Sequence, residues 1–219
     1  NGAVYLTAYD GAQGVELWRS DGTEAGTVLV KDINVGAASS NPHDLIEVGG
    51  ILYFAATDGV HGDELWRSDG TEAGTFQVKD INPGAGGSQT QDLTGAQGIL
   101  FFTAVDADHG SEVWKSDGTE TGTVLVKDVI PGPGWSFPSD LAAVDSTLFF
   151  VARDSAHGTE LWKSDGTEAG TIIVKDIVPG QGGPVPSSIT ALGATLFFTP
   201  LDRAHGRELW NADGTDTIG

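Results

Sequence analysis

The chain's 219 residues carry 31 acidic and 11 basic side chains, a net charge of −20, which excludes a phosphate-backbone partner and disfavours anionic membrane surfaces. No apolar run approaches the ~20 residues that a membrane-spanning helix needs, and the lack of Cys removes disulfides and thiolate metal sites. The acidic surplus favours divalent cations, basic partners or simple solubility, and a start without Met or signal peptide reads as a mature or excised piece.

In chain order, the first landmark is Glu16-Leu-Trp-Arg-Ser-Asp-Gly-Thr-Glu-Ala-Gly-Thr27. It returns nearly unchanged at 64–75, 112–123 and 160–171, and in decayed form from 208 to 219. Trp18, Trp66, Trp114, Trp162 and Trp210 are 48 residues apart at every step. Fixed-period self-similarity decides the architecture before any local reading does. One whole unit starts near His43. Asp44-Leu-Ile-Glu-Val48 is a short alternating strand, and Gly49-Gly50 turns the chain. Ile51-Leu-Tyr-Phe-Ala-Ala56 is apolar enough to be buried on both faces. The turn 58–62 follows, then a third strand over 64–68, a hairpin loop over 68–74 and a fourth strand over 75–81. Residues 82–88 cross to the next unit. Leu6, Phe54, Phe102, Phe150 and Phe198 align at the centre of the second strand, while the fourth strand tolerates Gln77. Burial therefore grades from second strand to fourth.

Four antiparallel strands per unit of ~40–50 residues predict an all-β fold, a β-propeller of five 48-residue blades. The units are 1–42, 43–90, 91–138, 139–186 and 187–219 of one domain, the first and last incomplete. Five such units would need 240 residues; the missing 21 match 27–47. An open seam of this kind invites strand exchange or oligomers.

The runs Leu-Tyr-Phe-x-Ala-x-Asp (52–58), Gly-x-Glu-Leu-Trp-x-Ser-Asp-Gly-Thr-x-x-Gly-Thr (62–75) and Val-Lys-Asp-Ile-x-Pro-Gly (78–84) carry a resemblance. With their copies they span essentially the whole chain, which resembles the ELWxxDGT repeat family of large secreted or surface bacterial proteins, sometimes called hyalin-like. The resemblance implies a propeller and an extracellular or cell-surface setting, and it brings no general catalytic assignment. The Ser-Asp-Gly-Thr hairpin is also similar to the Asp-box of sialidase-type propellers, a folding element.

The turn between second and third strands pairs Asp58 with His61, Asp106 with His109, Asp154 with His157 and Asp202 with His205; Gln13 stands in the first copy. Such a pair can hold a metal or bond a ligand hydroxyl; equally, the Asp can accept backbone N–H bonds in a turn that the His caps. Asp58, Asp106, Asp108, Asp154 and Asp202 are the candidate Ca²⁺ ligands, with Asp106 and Asp108 the best placed, although no spacing matches a known calcium loop. Asp21, Asp69, Asp117, Asp165 and Asp213 read as Asx-turn residues, and the five repeated tryptophans as packing between blades. Trp135 breaks the repeat, standing where other units have Ser39, Gly87 or Gly183. It is a ligand-binding or partner-contact candidate beside plain packing. Lys31 and its copies could pair with the third-strand Glu16, Glu64 and so on.

No Gly-x-Ser-x-Gly elbow, phosphate loop or zinc helix is present. Near-identical units argue against one asymmetric catalytic site. The expectation is therefore a non-catalytic extracellular binding or adhesion module, multivalent by avidity, with carbohydrate as ligand and a glycan or protein partner at the cell surface. The alternatives are a structural subunit of a surface or multiprotein assembly and, third, a propeller hydrolase or lyase.

Overall fold

The computed structural model describes residues 2–177, 180, 186–202 and 206–212. Among them there is no helix; the elements are twenty β-strands. The first unit holds β1 (Val4–Tyr9), β2 (Val15–Ser20) and β3 (Val28–Lys31). The second holds β4 (His43–Val48), β5 (Ile51–Thr57), β6 (Asp63–Ser68) and β7 (Phe76–Gln77). The third holds β8 (Gln91–Ala96), β9 (Ile99–Asp106), β10 (Gly110–Ser116) and β11 (Val124–Leu125). The fourth holds β12 (Ser139–Val144), β13 (Thr147–Asp154), β14 (Gly158–Ser164) and β15 (Ile172–Lys175). The last has β16 (Ser187–Leu192), β17 (Thr195–Thr199), β18 (Leu201–Asp202), β19 (Gly206–Arg207) and β20 (Trp210–Ala212).

Each complete unit is one four-stranded antiparallel sheet in sequence order, β4 to β7, β8 to β11 and β12 to β15. Phe54 faces Trp66 in register, as Phe102 faces Trp114 and Phe150 faces Trp162. The apolar residues at the centre of the second strand go into cores that lie between consecutive sheets, not within one. Val48, Tyr53, Leu65 and Val78 of the second unit pack on Leu100, Phe102, Ala104 and Trp114 of the third, and the same pattern recurs at the other three junctions. Phe54, Phe102, Phe150 and Phe198 are fully buried there, each contributing about 1.5–3 kcal/mol by leaving water.

The first strands β4, β8, β12 and β16 lie against one another in succession. The second strand is the most buried because a neighbouring sheet covers each of its faces. The first strands are only half covered. The fourth strand is also shorter than its pattern suggests, two residues in β7 and β11. In the longer copies a register shift lies next to it, and two apolar positions of equal parity differ there: Val174 is buried, while Ile172 faces solvent. Val78 and Val126 are likewise buried, and Phe76 and Val124 exposed.

Candidate functional site: the inner-strand carboxylates and an aromatic cavity

The hairpin after each third strand is tied by its own aspartate. Oδ1 of Asp21, Asp69, Asp117 and Asp165 accepts the N–H (2.8–2.9 Å) and the hydroxyl (2.7 Å) of the threonine two residues on. That threonine's Oγ1 accepts the N–H of the glycine three residues further. The threonine hydroxyl bond, then its N–H, holds these carboxyls below their usual pKa. Asp213 lies outside the described residues. Trp66, Trp114 and Trp162 are buried between sheets, and Trp18 and Trp210 are half-buried.

The Asp–His turns are closed within themselves. Asp58, Asp106 and Asp154 meet the Nδ1 of His61, His109 and His157 at 2.7, 2.8 and 2.8 Å. Their Oδ1 atoms accept the histidine's own backbone N–H and that of the residue before it. The Asp bond raises each histidine's pKa. For Asp58 and Asp154, desolvation pushes up while the His61 and His157 donors pull further down. Asp106, which with Asp108 reads as the best placed of the candidate Ca²⁺ ligands, spends its carboxylate on its own turn. Among the described residues no three His, Asp or Glu side chains gather as a metal set. His205 and the side chain of Asp202 lie outside the described residues.

The pairing of Lys31 and its copies with the third-strand glutamates is corrected. Lys31, Lys79 and Lys127 instead donate to the carbonyls of Thr75, Thr123 and Thr171 in the next unit, at 2.8–2.9 Å. Lys79 and Lys127 do so while lying over the indoles of Trp114 and Trp162. The glutamates turn inward and are fully buried. Glu16 accepts the N–H groups of Ile33 and Ser40 at 3.0 Å, Glu64 those of Ile81 and Asn82, and Glu112 the hydroxyl of Ser136 at 2.6 Å. They clamp the crossing loop. Desolvation pushes Glu64 and Glu112 up to about 7 and Glu160 up to about 8.

The signal that sequence reasoning passed over lies on the first strands, β4, β8, β12 and β16. Asp44, Asp92, Asp140 and Ser188 occupy their second position, 48 residues apart, with φ of +52° to +56°. At each the pairing skips, from His43 to Ile46, Gln91 to Thr94, Ser139 to Ala142 and Ser187 to Thr190. A bulge with one residue in the left-handed region re-aims a side chain, and aspartate tolerates that region better than most residues. Asp44 and Asp92 line one cavity of about 460 Å³ with His43, Leu45, Ile46 and Gln91. Desolvation, then the charges of Asp44 and Asp140, raises the pKa of Asp92, which lies within the field of each of the two neighbouring carboxylates. Asp92 also borders a second cavity of about 380 Å³, walled by Trp135, Phe137 and Pro138. The Trp135 and Phe137 rings lie 5.5 Å apart between centroids and are 41% and 56% exposed.

No protein-family model matches the chain, and no curated protein sequence does. Solved structures do. A puromycin hydrolase S511A mutant complexed with PGG aligns over 100% of this chain and 35% of its own, with TM-score 0.57 and 13% identity. Oligopeptidase B from Leishmania major aligns over 99% and 32%, with TM-score 0.55 and 15% identity. Prolyl oligopeptidase B from Galerina marginata, bound to a 35mer hydrolysis and macrocyclization substrate, aligns over 98% and 30%, with TM-score 0.55 and 12% identity. At these identities the likeness is one of fold. The chain spans about a third of the length of these structures.

These neighbours overturn the expectation of a non-catalytic adhesion module with carbohydrate as ligand. That expectation rested on the near-identity of the units. The same fold recurs within a hydrolase and peptidases, so repeat symmetry over one stretch of chain is no argument against a part in catalysis.

Proposed function

We propose that the chain is a β-propeller of five 48-residue units, of the ELWxxDGT repeat class, that receives peptide for a hydrolytic centre. The first strands β4, β8, β12 and β16 line its axis in this reading, and peptide is taken at the end carrying Asp44, Asp92 and Asp140. The observation that carries the reading is the span of the likeness: folds found in peptidases account for 98–99% of the chain. The charge supports it, because a chain of net charge −20 that sets Asp92 in the fields of Asp44 and Asp140 attracts cationic segments. Capture is assigned to this chain, and bond cleavage to a unit it works with, in keeping with the third of the peptidases' length that it spans.

Calorimetry with two unstructured peptides of about 20 residues, one rich in Lys and one with Glu at the same places, tests it. The expected result is binding of the cationic peptide alone, weakened about tenfold between roughly 50 and 300 mM salt as exposed charges are screened. Equal binding of both peptides, or of neither, contradicts the reading.

A further inference from the structure

Among the described residues, the first three crossing loops are each pinned at one serine. Ser40, Ser88 and Ser136 are buried, and their N–H groups donate to the carbonyls of Val15, Asp63 and Ser111 at 2.9–3.2 Å. Their own carbonyls accept N–H bonds from Thr57, Val105 and Arg153 at 2.7–3.0 Å. The residues on either side of the pinned serine are thus presented alike in these three units. In the first two units they are Ser39 with Asn41 and Gly87 with Gln89. In the third they are Trp135 and Phe137. A scaffold that only closes the loop elsewhere here holds two large aromatic side chains in the open.

Phe137 is costly where it stands. Its φ of +48° matches +46° at Asn41 and +52° at Gln89, a conformation that asparagine adopts readily and a bulky side chain does not. Backbone strain kept at an exposed aromatic serves neither the core nor the loop. Gly110 has φ +69°, and a Cβ there would stand 2.4 Å from the Gly134 carbonyl and 2.6 Å from the Trp135 indole Cδ1. Gly14 and Gly62 meet the loop backbone of their own units in the same way, so the close approach that brings Trp135 against β10 is common to these three units and only the aromatic side chain is new. The two rings are tilted by 52° and wall the cavity of about 380 Å³. On its other side lie Asp92, turned by the bulge of β8, with Gln89 and Gln91.

Aromatic faces and a carboxylate together select a cation. An apolar guest would strip water from Asp92 and leave its charge unpaired, at a large cost. An anion would meet Asp92 with Asp44 and Asp140 behind it. Arg153 already lies 6.0 Å from the Phe137 centroid, so a guest cation is directed towards Trp135 and Asp92. From this arrangement we infer that the cavity between Trp135, Phe137 and Asp92 is a subsite for the side chain of a lysine or arginine in a bound peptide. The inference deepens, and rests on, the peptide-receiving reading above.

The test uses the chain labelled with 5-fluorotryptophan, whose six ¹⁹F resonances are separable, with Trp135→Phe assigning the one that matters. The probes are acetyl-Ala-Ala-Lys-Ala-Ala-amide, the same peptide with Nε-acetyl-lysine, and methylammonium alone. A shift of the Trp135 resonance with the lysine peptide, lost with acetyl-lysine, is expected. Asp92→Asn, which keeps a residue suited to positive φ, should weaken binding about tenfold. Phe137→Asn should raise the melting temperature while lowering affinity; a residue with a structural role only would lower both. Peptide binding with a silent Trp135 resonance overturns the subsite and leaves the peptide reading intact. A Trp135 shift with methylammonium but no binding of any peptide upholds the cation subsite and removes the peptide reading. Equal shifts with lysine and acetyl-lysine overturn the charge selection, and no response to any probe overturns both.

Discussion

Raising the pH from 5 to 8 should lower the melting temperature by roughly 10 °C. Glu64, Glu112 and Glu160 are fully buried, and desolvation lifts them from an unfolded value near 4.5 to about 7, 7 and 8. A raised carboxyl stabilises the fold fully below its unfolded pKa and loses that contribution as pH rises through the folded one. The window is therefore pH 4.5 to 8, and the loss runs upward. The histidines raised by Asp58, Asp106 and Asp154 act in the same sense above pH 6.5, more weakly because they are partly exposed. The hairpin aspartates act oppositely: their carboxyls are lowered, so their contribution is present above 3.8 and disappears only under more acid conditions. At about 1.4 kcal/mol per pKa unit, discounted for relaxation, each glutamate costs about 1–2 kcal/mol by pH 8. Each kcal/mol moves the midpoint of a chain this size by about 2–4 °C. Glu160→Gln keeps an acceptor for the N–H of Ile177, 3.4 Å away in the native chain, and removes the titration. Scanning calorimetry should find it close to the native chain at pH 5 and more stable at pH 8. A native midpoint that rises across this range would mean that the clamps favour the ionised form.

Gly122→Ala should cost about 2–3 kcal/mol, against about 1 kcal/mol for Gly132→Ala. A Cβ at Gly122 would fall inside the Asp117 carboxylate. Asp117 would then have to release both the N–H of Thr119 at 2.9 Å and its hydroxyl at 2.7 Å. Hydrogen bonds to a charged group are worth about 1.5–3 kcal/mol each, and water can replace part of that on an exposed hairpin. The damage also travels, because Arg67 of the preceding unit donates to the Gly118 carbonyl at this hairpin at 3.0 Å. Gly132 has φ +92° and open space around it, so its alanine variant pays only for backbone conformation. Urea unfolding of the two variants separates the cases; equal losses would mean that the hairpin tie is immaterial.

The 48-residue period makes the strands and hairpin ties of every unit legible from the residues alone, because backbone hydrogen bonding and turn chemistry are local. What the sequence obscured were the relations between units. The second strand reads as the most buried because it is the most apolar. That its cover comes from sheets on both sides is not visible locally, nor is the contact in succession of β4, β8 and β12, which keep polar residues. Lys79 sits beside Asp80 in sequence, and nothing local says that its amine reaches Thr123. Asp44, Asp92 and Asp140 look like the polar half of an alternating strand. Their shared period was visible, but the bulge that turns them was not. Trp135 stood out as the aromatic that broke the repeat. Its partner Phe137 did not, since positive φ at a phenylalanine cannot be read from its type.

The most direct test of peptide reception at the inner-strand end is amide chemical-shift mapping of the ¹⁵N-labelled chain during titration with the lysine-rich peptide. Reception at that end predicts shifts concentrated at residues 43–46, 91–94 and 139–142, with smaller changes at 135–137. Shifts confined to the hairpins around Asp21, Asp69, Asp117 and Asp165, or scattered over the acidic surface, would contradict it.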